Sequence, residues 1–178
     1  GKTDSQIVLE ALALHGWSED AAVARLDAFR ERYVAALEAV REHLIEDMPI
    51  LPGVPEVLRQ LATLDTTQSL LTGNYESAAL VKLGAIGLEH HFDFTVGAFG
   101  SDHRDRTRLV PIALEKVLRR YDASLMPEDI VVVGDTPPAD LPPGATAFDS
   151  LLGGDPIDGP AEVDPDAPAI IAFTSGTT

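Results

Sequence analysis

The run Ile130-Val131-Val132-Val133 leads directly into Gly134-Asp135, and Asp140 follows five residues later. A short β-branched aliphatic run reads as a buried strand, so Asp135 falls at a strand tip with a second acid near it. Hard cations such as Mg²⁺ are held by a few carboxylates together with water and substrate phosphate oxygens. A second strand, Gln68 to Thr72, ends in Thr72-Gly73-Asn74, which brings a hydroxyl, a flexible glycine and an amide to another strand end. Between the two, Arg104, Arg106 and Arg108 supply cations in one short loop and helix start. A metal, a hydroxyl donor and a fixed cation together spread the charge of a phosphoryl group during its transfer. These residue types therefore point to a phosphate site.

Elements of the right kind surround these residues. Ser5 to His15 reads as a helix, with Thr3 and Asp4 as cap candidates and Gly16 as its stop. Ser18 is the expected N-cap of a longer helix, with Val23, Leu26, Phe29, Tyr33, Leu37, Val40 and Leu44 forming one buried stripe. Trp17 and Tyr33 read as packing residues. Pro52-Gly53 breaks the chain and Pro55 opens the next helix, with Val57, Leu58, Leu61 and Leu64 on its apolar side. Strands and helices then alternate: Gln68 to Thr72 as strand, Glu76 to Leu83 as helix, Phe92 to Val96 as strand, Leu109 to Tyr121 as helix and Asp129 to Gly134 as strand. That alternation implies a parallel sheet covered by helices. Ligand sites in such sheets lie at the carboxyl ends of the strands, where Thr72 and Asp135 fall. None of the five histidines shows metal-ligand spacing, and His90-His91 reads as a helix-end pair.

Composition narrows the partners. Thirteen Lys and Arg against 29 Asp and Glu give a net charge of −16, which argues against a nucleic-acid backbone or an anionic membrane. With 45% hydrophobic residues the chain can build a core, and with no cysteine it has neither disulfide nor thiolate chemistry. No apolar run reaches membrane-spanning length and no signal peptide is visible, so the expected setting is cytoplasmic. From Tyr121 onward all charged side chains are acidic and prolines crowd together. This shift places a boundary near Asp140.

Taken in order, these stretches resemble the haloacid-dehalogenase-like hydrolases, in particular the phosphoglycolate-phosphatase-like group with a helical cap. The matching segments are Gly1-Lys2-Thr3-Asp4, Leu51-Pro52-Gly53-Val54, Leu70 to Asn74, Gly97 to Asp105 and Ile130 to Pro137. The resemblance implies an α/β fold: a parallel Rossmann-like sheet with helices on both faces and an N-terminal helical cap. The cap segment is expected over residues 1–50, the core over 51–140 and an acidic Pro/Gly-rich tail over 141–178. It implies a Mg²⁺-dependent phosphomonoester hydrolase acting on a small phosphorylated metabolite. Thr72 would hydrogen-bond the phosphoryl group, with Gly73 and Asn74 lining it. Arg106, or its neighbours Arg104 or Arg108, would supply the cation, and Asp135 would hold Mg²⁺ with Asp140 as a second acid.

One departure bears on activity. The family's nucleophile is the first Asp of an Asp-x-Asp motif on a central strand, and this chain has no such strand motif; Asp164-Pro165-Asp166 is flanked by proline and follows no apolar run. The chain as given is therefore expected to lack phosphatase turnover, or to serve as a non-catalytic phosphate- or metal-binding module. After Asp140 the family resemblance stops. Ala169 to Thr178 instead resembles the opening of the phosphate loop of adenylate-forming acyl-CoA ligases, which implies nucleotide contacts at Thr174, Ser175, Gly176 and Thr177. The chain thus looks like two truncated pieces joined near residues 140–145, by natural fusion or as a chimera. A structural expectation accompanies this: the strand Ala169–Phe173 fills the central slot between the strands of Thr72 and Asp135.

Overall fold

The computed structural model describes residues 1–64 and 66–121, and the backbones of three further strands, Ile130–Val133, Thr146–Ala147 and Ala169–Phe173. Thr3 caps α1 (Asp4–Leu14) through a reciprocal box. Its hydroxyl accepts the Gln6 N–H, and the Gln6 side chain accepts the Thr3 N–H. Beyond the helix end, Gly16 takes φ +80°, a conformation a side chain would resist. Ser18 caps α2 (Glu19–Val23) by accepting from the Ala21 N–H.

The long helix expected beyond Ser18 is divided. α2, α3 (Leu26–Ala39) and α4 (Leu44–Asp47) are separated by turns at 24–25 and 40–43. Nor is its apolar stripe buried: no α3 residue is, and Val23, Phe29 and Val40 are 42%, 40% and 45% exposed. The three-and-four spacing reports which face is apolar, and only a covering element can bury it. Leu44 is covered, since α4 packs on α6. α5 (Val54–Leu61) follows a left-handed Gly53 and carries Pro55 in its first turn. It buries Leu58 while Val57 and Leu64 remain exposed.

β1 (Thr66–Thr72) is longer than expected and polar at its start, and each buried polar group needs a partner. Thr66 Oγ1 donates to the Leu61 carbonyl at 2.9 Å, Gln68 Nε2 to the Leu58 carbonyl at 3.2 Å, and Ser69 Oγ to the Asp93 carbonyl at 2.7 Å. The strand then turns apolar. Leu71 packs with Ala98 and with Leu109 and Val110 of α7 (Leu109–Tyr121); Leu70 packs with Phe99 and with Ala79 of α6 (Glu76–Ala85). Because successive strand residues point to opposite faces, α6 and α7 cover opposite sides of the sheet.

Phe92 to Val96 is not a strand. The Asp93 carboxylate accepts both the N–H and the hydroxyl of Thr95, at 2.9 and 2.6 Å, which folds the segment into a turn. The strand β2 is the pair Ala98–Phe99 just beyond it. The alternation that imitated a strand is still buried: Phe92 and Phe94 join the Leu70 cluster and Val96 packs on Val117.

The remaining strands are β3 (Ile130–Val133), β4 (Thr146–Ala147) and β5 (Ala169–Phe173), and the sheet order is β2-β1-β5-β3-β4 with every pairing parallel. β5 fills the central slot as the sequence led us to expect. Leu70 aligns with Phe173 on one side, and Val133 with Phe173 on the other. The fold is thus a mixed α/β parallel sheet, and no described helix is long and apolar enough to cross a membrane.

Two outcomes are expected. Amides of Ala169–Phe173 should exchange with solvent as slowly as those of β1, and Ile171→Pro, which deletes a ladder N–H in mid-sheet, should cost most of the cooperative unfolding transition; fast exchange of β5 would refute its central place. Burial alone would raise the Asp93 carboxyl, but the bonds from Thr95 and Tyr121 outweigh it and hold it below its ordinary 3.8. That stabilisation is present above pH 3.8 and fades as pH falls through the lowered native value. The urea midpoint of the wild type should therefore drop faster below pH 3.8 than that of Asp93→Asn.

Candidate functional site

Thr72 ends β1 and is 3% exposed. Its Oγ1 accepts from the Asn74 N–H at 3.2 Å and from Asn74 Nδ2 at 2.9 Å. With two donors from Asn74 aimed at the oxygen, the hydroxyl hydrogen points away from that residue. Lys82 Nζ donates to Asn74 Oδ1 at 2.8 Å, which fixes which end of the amide faces Thr72. Lys82 escaped the sequence reading. It sits two turns into α6, and its long stem reaches back because helical side chains tilt toward the N-terminus.

The first residues of the chain strap this strand end in place. The Asp4 N–H donates to the Gly73 carbonyl at 2.8 Å, and the Asp4 carboxylate accepts the Tyr75 N–H at 2.9 Å. Ser5 Oγ donates to the Tyr75 hydroxyl at 3.2 Å; burial chiefly, against that bond, holds the phenol above its ordinary value and keeps it neutral. Thr3, fully buried, donates its hydroxyl to the Arg104 carbonyl at 2.6 Å. Lys2-Thr3-Asp4 is thus more than a helix cap, since it joins α1 to two distant loops.

Glycine is required where these segments meet. A Cβ on Gly73 would collide with the Lys2 carbonyl and the Thr3 Cα, and one on Gly100 would collide with the Gly73 carbonyl. The Gly100 N–H donates to the Asn74 carbonyl at 2.8 Å across the same contact. The loop from Gly97 onward is clamped by Lys116, whose ammonium reaches the Gly97 carbonyl at 2.8 Å and both Asp102 oxygens at 2.9 and 2.8 Å. Asp102 in turn accepts the Phe99 N–H.

That loop ends in a short 3₁₀ turn, Arg106–Arg108, capped by Asp105 through the N–H and hydroxyl of Thr107. The Thr107 bonds first, then the charges of His103 and Arg108, hold the Asp105 carboxyl below its ordinary range. The three arginines are sorted by position. Arg104 pairs with Glu19 on the surface at 3.0 Å, whereas Arg106 is half-buried and lines a small cavity with Lys2, Asp4, Thr72, Gly73 and Asn74. Among the described residues Arg108 does not line this cavity and Arg106 has no ion-pair partner. The cavity holds about 10 Å³, room for one water.

The structure therefore brings Thr72, Gly73, Asn74 and Arg106 together. Asp135, Asp140, Thr174, Ser175, Gly176 and Thr177 lie outside the described residues. Among the described residues no group of three or more acidic, histidine or cysteine side chains could hold a metal, and Asp4 is the one carboxylate on the cavity wall. A single carboxylate already engaged by a backbone N–H does not make a Mg²⁺ site.

A family model described as "haloacid dehalogenase-like hydrolase" matches residues 5–147. No curated protein matches the chain.

The close approach of Gly73 and Gly100 sets a test. Gly73→Ala and Gly100→Ala should each destabilise the chain by roughly 1–3 kcal/mol through backbone overpacking. The double variant should cost less than the sum, because both methyls press on Thr3 and so displace the same segment. Urea denaturation reads all three, and unchanged midpoints would refute the packing argument.

Proposed function

Because this chain belongs to the haloacid dehalogenase-like hydrolase family, we propose that the Thr72 cavity receives the phosphoryl group of a small phosphorylated metabolite. The observation that carries the reading is the convergence of an oriented hydroxyl, an amide and a guanidinium with no ion-pair partner among the described residues at the carboxyl end of β1. In this reading Thr72 donates its hydroxyl to a phosphoryl oxygen, and Arg106 offers a two-pronged cation to the others. Lys82 keeps Asn74, and through it Thr72, in the receiving orientation. The cavity is smaller than a phosphoryl group, so entry requires the long side chains of Lys2 and Arg106 to swing outward; Lys2 already leans out to an exposed Glu10.

Mg²⁺ belongs to the proposal through sequence: Asp135 follows the end of β3 by two residues, and Asp140 supplies a second acid. Bound there, the ion would neutralise phosphoryl charge beside the cation of Arg106. The chain carries no residue that matches the family's nucleophile, so the reading is binding of the phosphate without turnover at enzymatic rates.

Titration of inorganic phosphate into the chain, followed by ³¹P NMR and calorimetry with and without Mg²⁺, tests the assignment. Arg106→Gln should weaken binding by roughly tenfold or more, as expected for a charge-assisted bond, and Thr72→Val by a few-fold. Asp135→Asn should remove the Mg²⁺ dependence and leave metal-free binding intact. Phosphate affinity indifferent to both Thr72 and Arg106 would overturn the site. Sustained hydrolysis of a small phosphate ester would overturn the claim of binding without turnover.

A further inference from the structure

A groove of about 580 Å³ runs between α1 and α3, with Ile7, Leu12, Trp17 and Phe29 on its walls and Arg25 and Arg32 among its lining residues. Its volume lies within the range of small-molecule sites. Three of its large apolar side chains stand open to solvent: Ile7 is 48% exposed, Trp17 41% and Phe29 40%. Contiguous exposed apolar surface of this kind marks a contact site rather than ordinary surface scatter.

The charge on the groove runs against that of the chain. The protein carries −16 overall, yet among the described residues no acidic side chain lines this surface, and both charged residues that do are arginines. Among the described residues neither Arg25 nor Arg32 has an ion-pair partner, whereas Arg30 on the same helix pairs with Asp27 and Arg41 beyond it with Glu38. The Arg25 guanidinium lies 5.6 Å from the centre of the Trp17 ring, an arrangement that holds a cation over an apolar floor. Arg25, the residue that precedes α3, and Arg32 within it are about two helical turns or 10 Å apart, and both side chains are long enough to converge on one anionic head between them.

We propose that this groove binds an amphipathic anion, with its apolar body on Trp17, Phe29, Ile7 and Leu12 and its charged head between Arg25 and Arg32. The complementarity has two parts. The apolar body gains by leaving water, and the anion gains two cations that no carboxylate among the described residues pairs with. The groove adjoins the Thr72 cavity, with which it shares Ile7, but the proposal does not rest on the phosphate reading.

Trp17 is the sole tryptophan of the chain, so its emission reports on this groove alone. Decanoate, added below its micellar range to the full chain, should shift Trp17 emission to the blue and saturate. Decanol, which has the same body and no charge, should bind at least about tenfold more weakly. Arg25→Gln and Arg32→Gln should each weaken decanoate by about tenfold while leaving decanol unchanged, with thermal melts confirming that the variants fold. Decanol binding as tightly as decanoate would overturn the proposal in the wild type, without recourse to any variant. So would a decanoate response that does not saturate or that ignores both substitutions. A shift of Trp17 emission on raising the protein concentration alone, with a dimer in sedimentation, would also overturn it, by making a second copy the occupant.

Discussion

The hydrogen bonds that β5 makes on both of its edges join what would otherwise be two separate pairs of strands. β1 carries β2 on one side and β3 carries β4 on the other, and it is Ala169–Phe173 that joins them. Buried backbone N–H and C=O groups must be paired, so without β5 the inner edges of β1 and β3 would face each other unsatisfied. The strand that closes the sheet is also the last described element of the chain, which makes the pairing as non-local as this topology allows. Such contacts are slow to form because the loop must be closed before the ladder repays it. The position of the Thr72 strand end, and hence of the proposed phosphate site, is tied to a segment almost a hundred residues away in sequence.

A second constraint works at shorter range and aligns the site itself. Thr3 and Asp4 reach the loops at Arg104 and Gly73 by direct bonds, and the backbones at Gly73 and Gly100 lie too close to admit a side chain. These contacts make the start of α1, the end of β1 and the loop before α7 one packed unit. Around it the few cations of an acidic chain are assigned distinct tasks. Lys82 orients an amide, Lys116 closes a loop and Arg106 faces the cavity. Arg25 and Arg32, by contrast, stand beside open apolar surface.

Much of the frame was legible from residue order. The capping of α1 and α2 by Thr3 and Ser18 follows from local hydrogen bonding, which a cap residue carries with it wherever the helix lies. The runs Leu70-Leu71 and Ile130–Val133 read as strands because branched and aliphatic residues in short blocks suit a sheet buried on both faces. Thr72, Gly73 and Asn74 stand out in the sequence for a related reason: they interrupt an apolar run where a parallel sheet exposes its carboxyl edge. Phe92 to Val96 misled, since alternation records which residues are buried, and the Asp93 carboxylate bent those same residues into a turn. The Val23–Leu44 stripe misled in the opposite way, being periodic without being covered.

What the sequence by itself determined is the set of local structures and the types of chemical group at their ends, because caps, turns and strand propensities act over a few residues. It also determined the family, which a family model recognises over residues 5–147. The tertiary structure alone decided which of three neighbouring arginines faces Thr72, that Lys82 steers Asn74, and that Trp17 lies in an open groove instead of a core. Each of these depends on the direction of a side chain across elements far apart in the chain. That direction is set by packing, which no spacing along one segment contains.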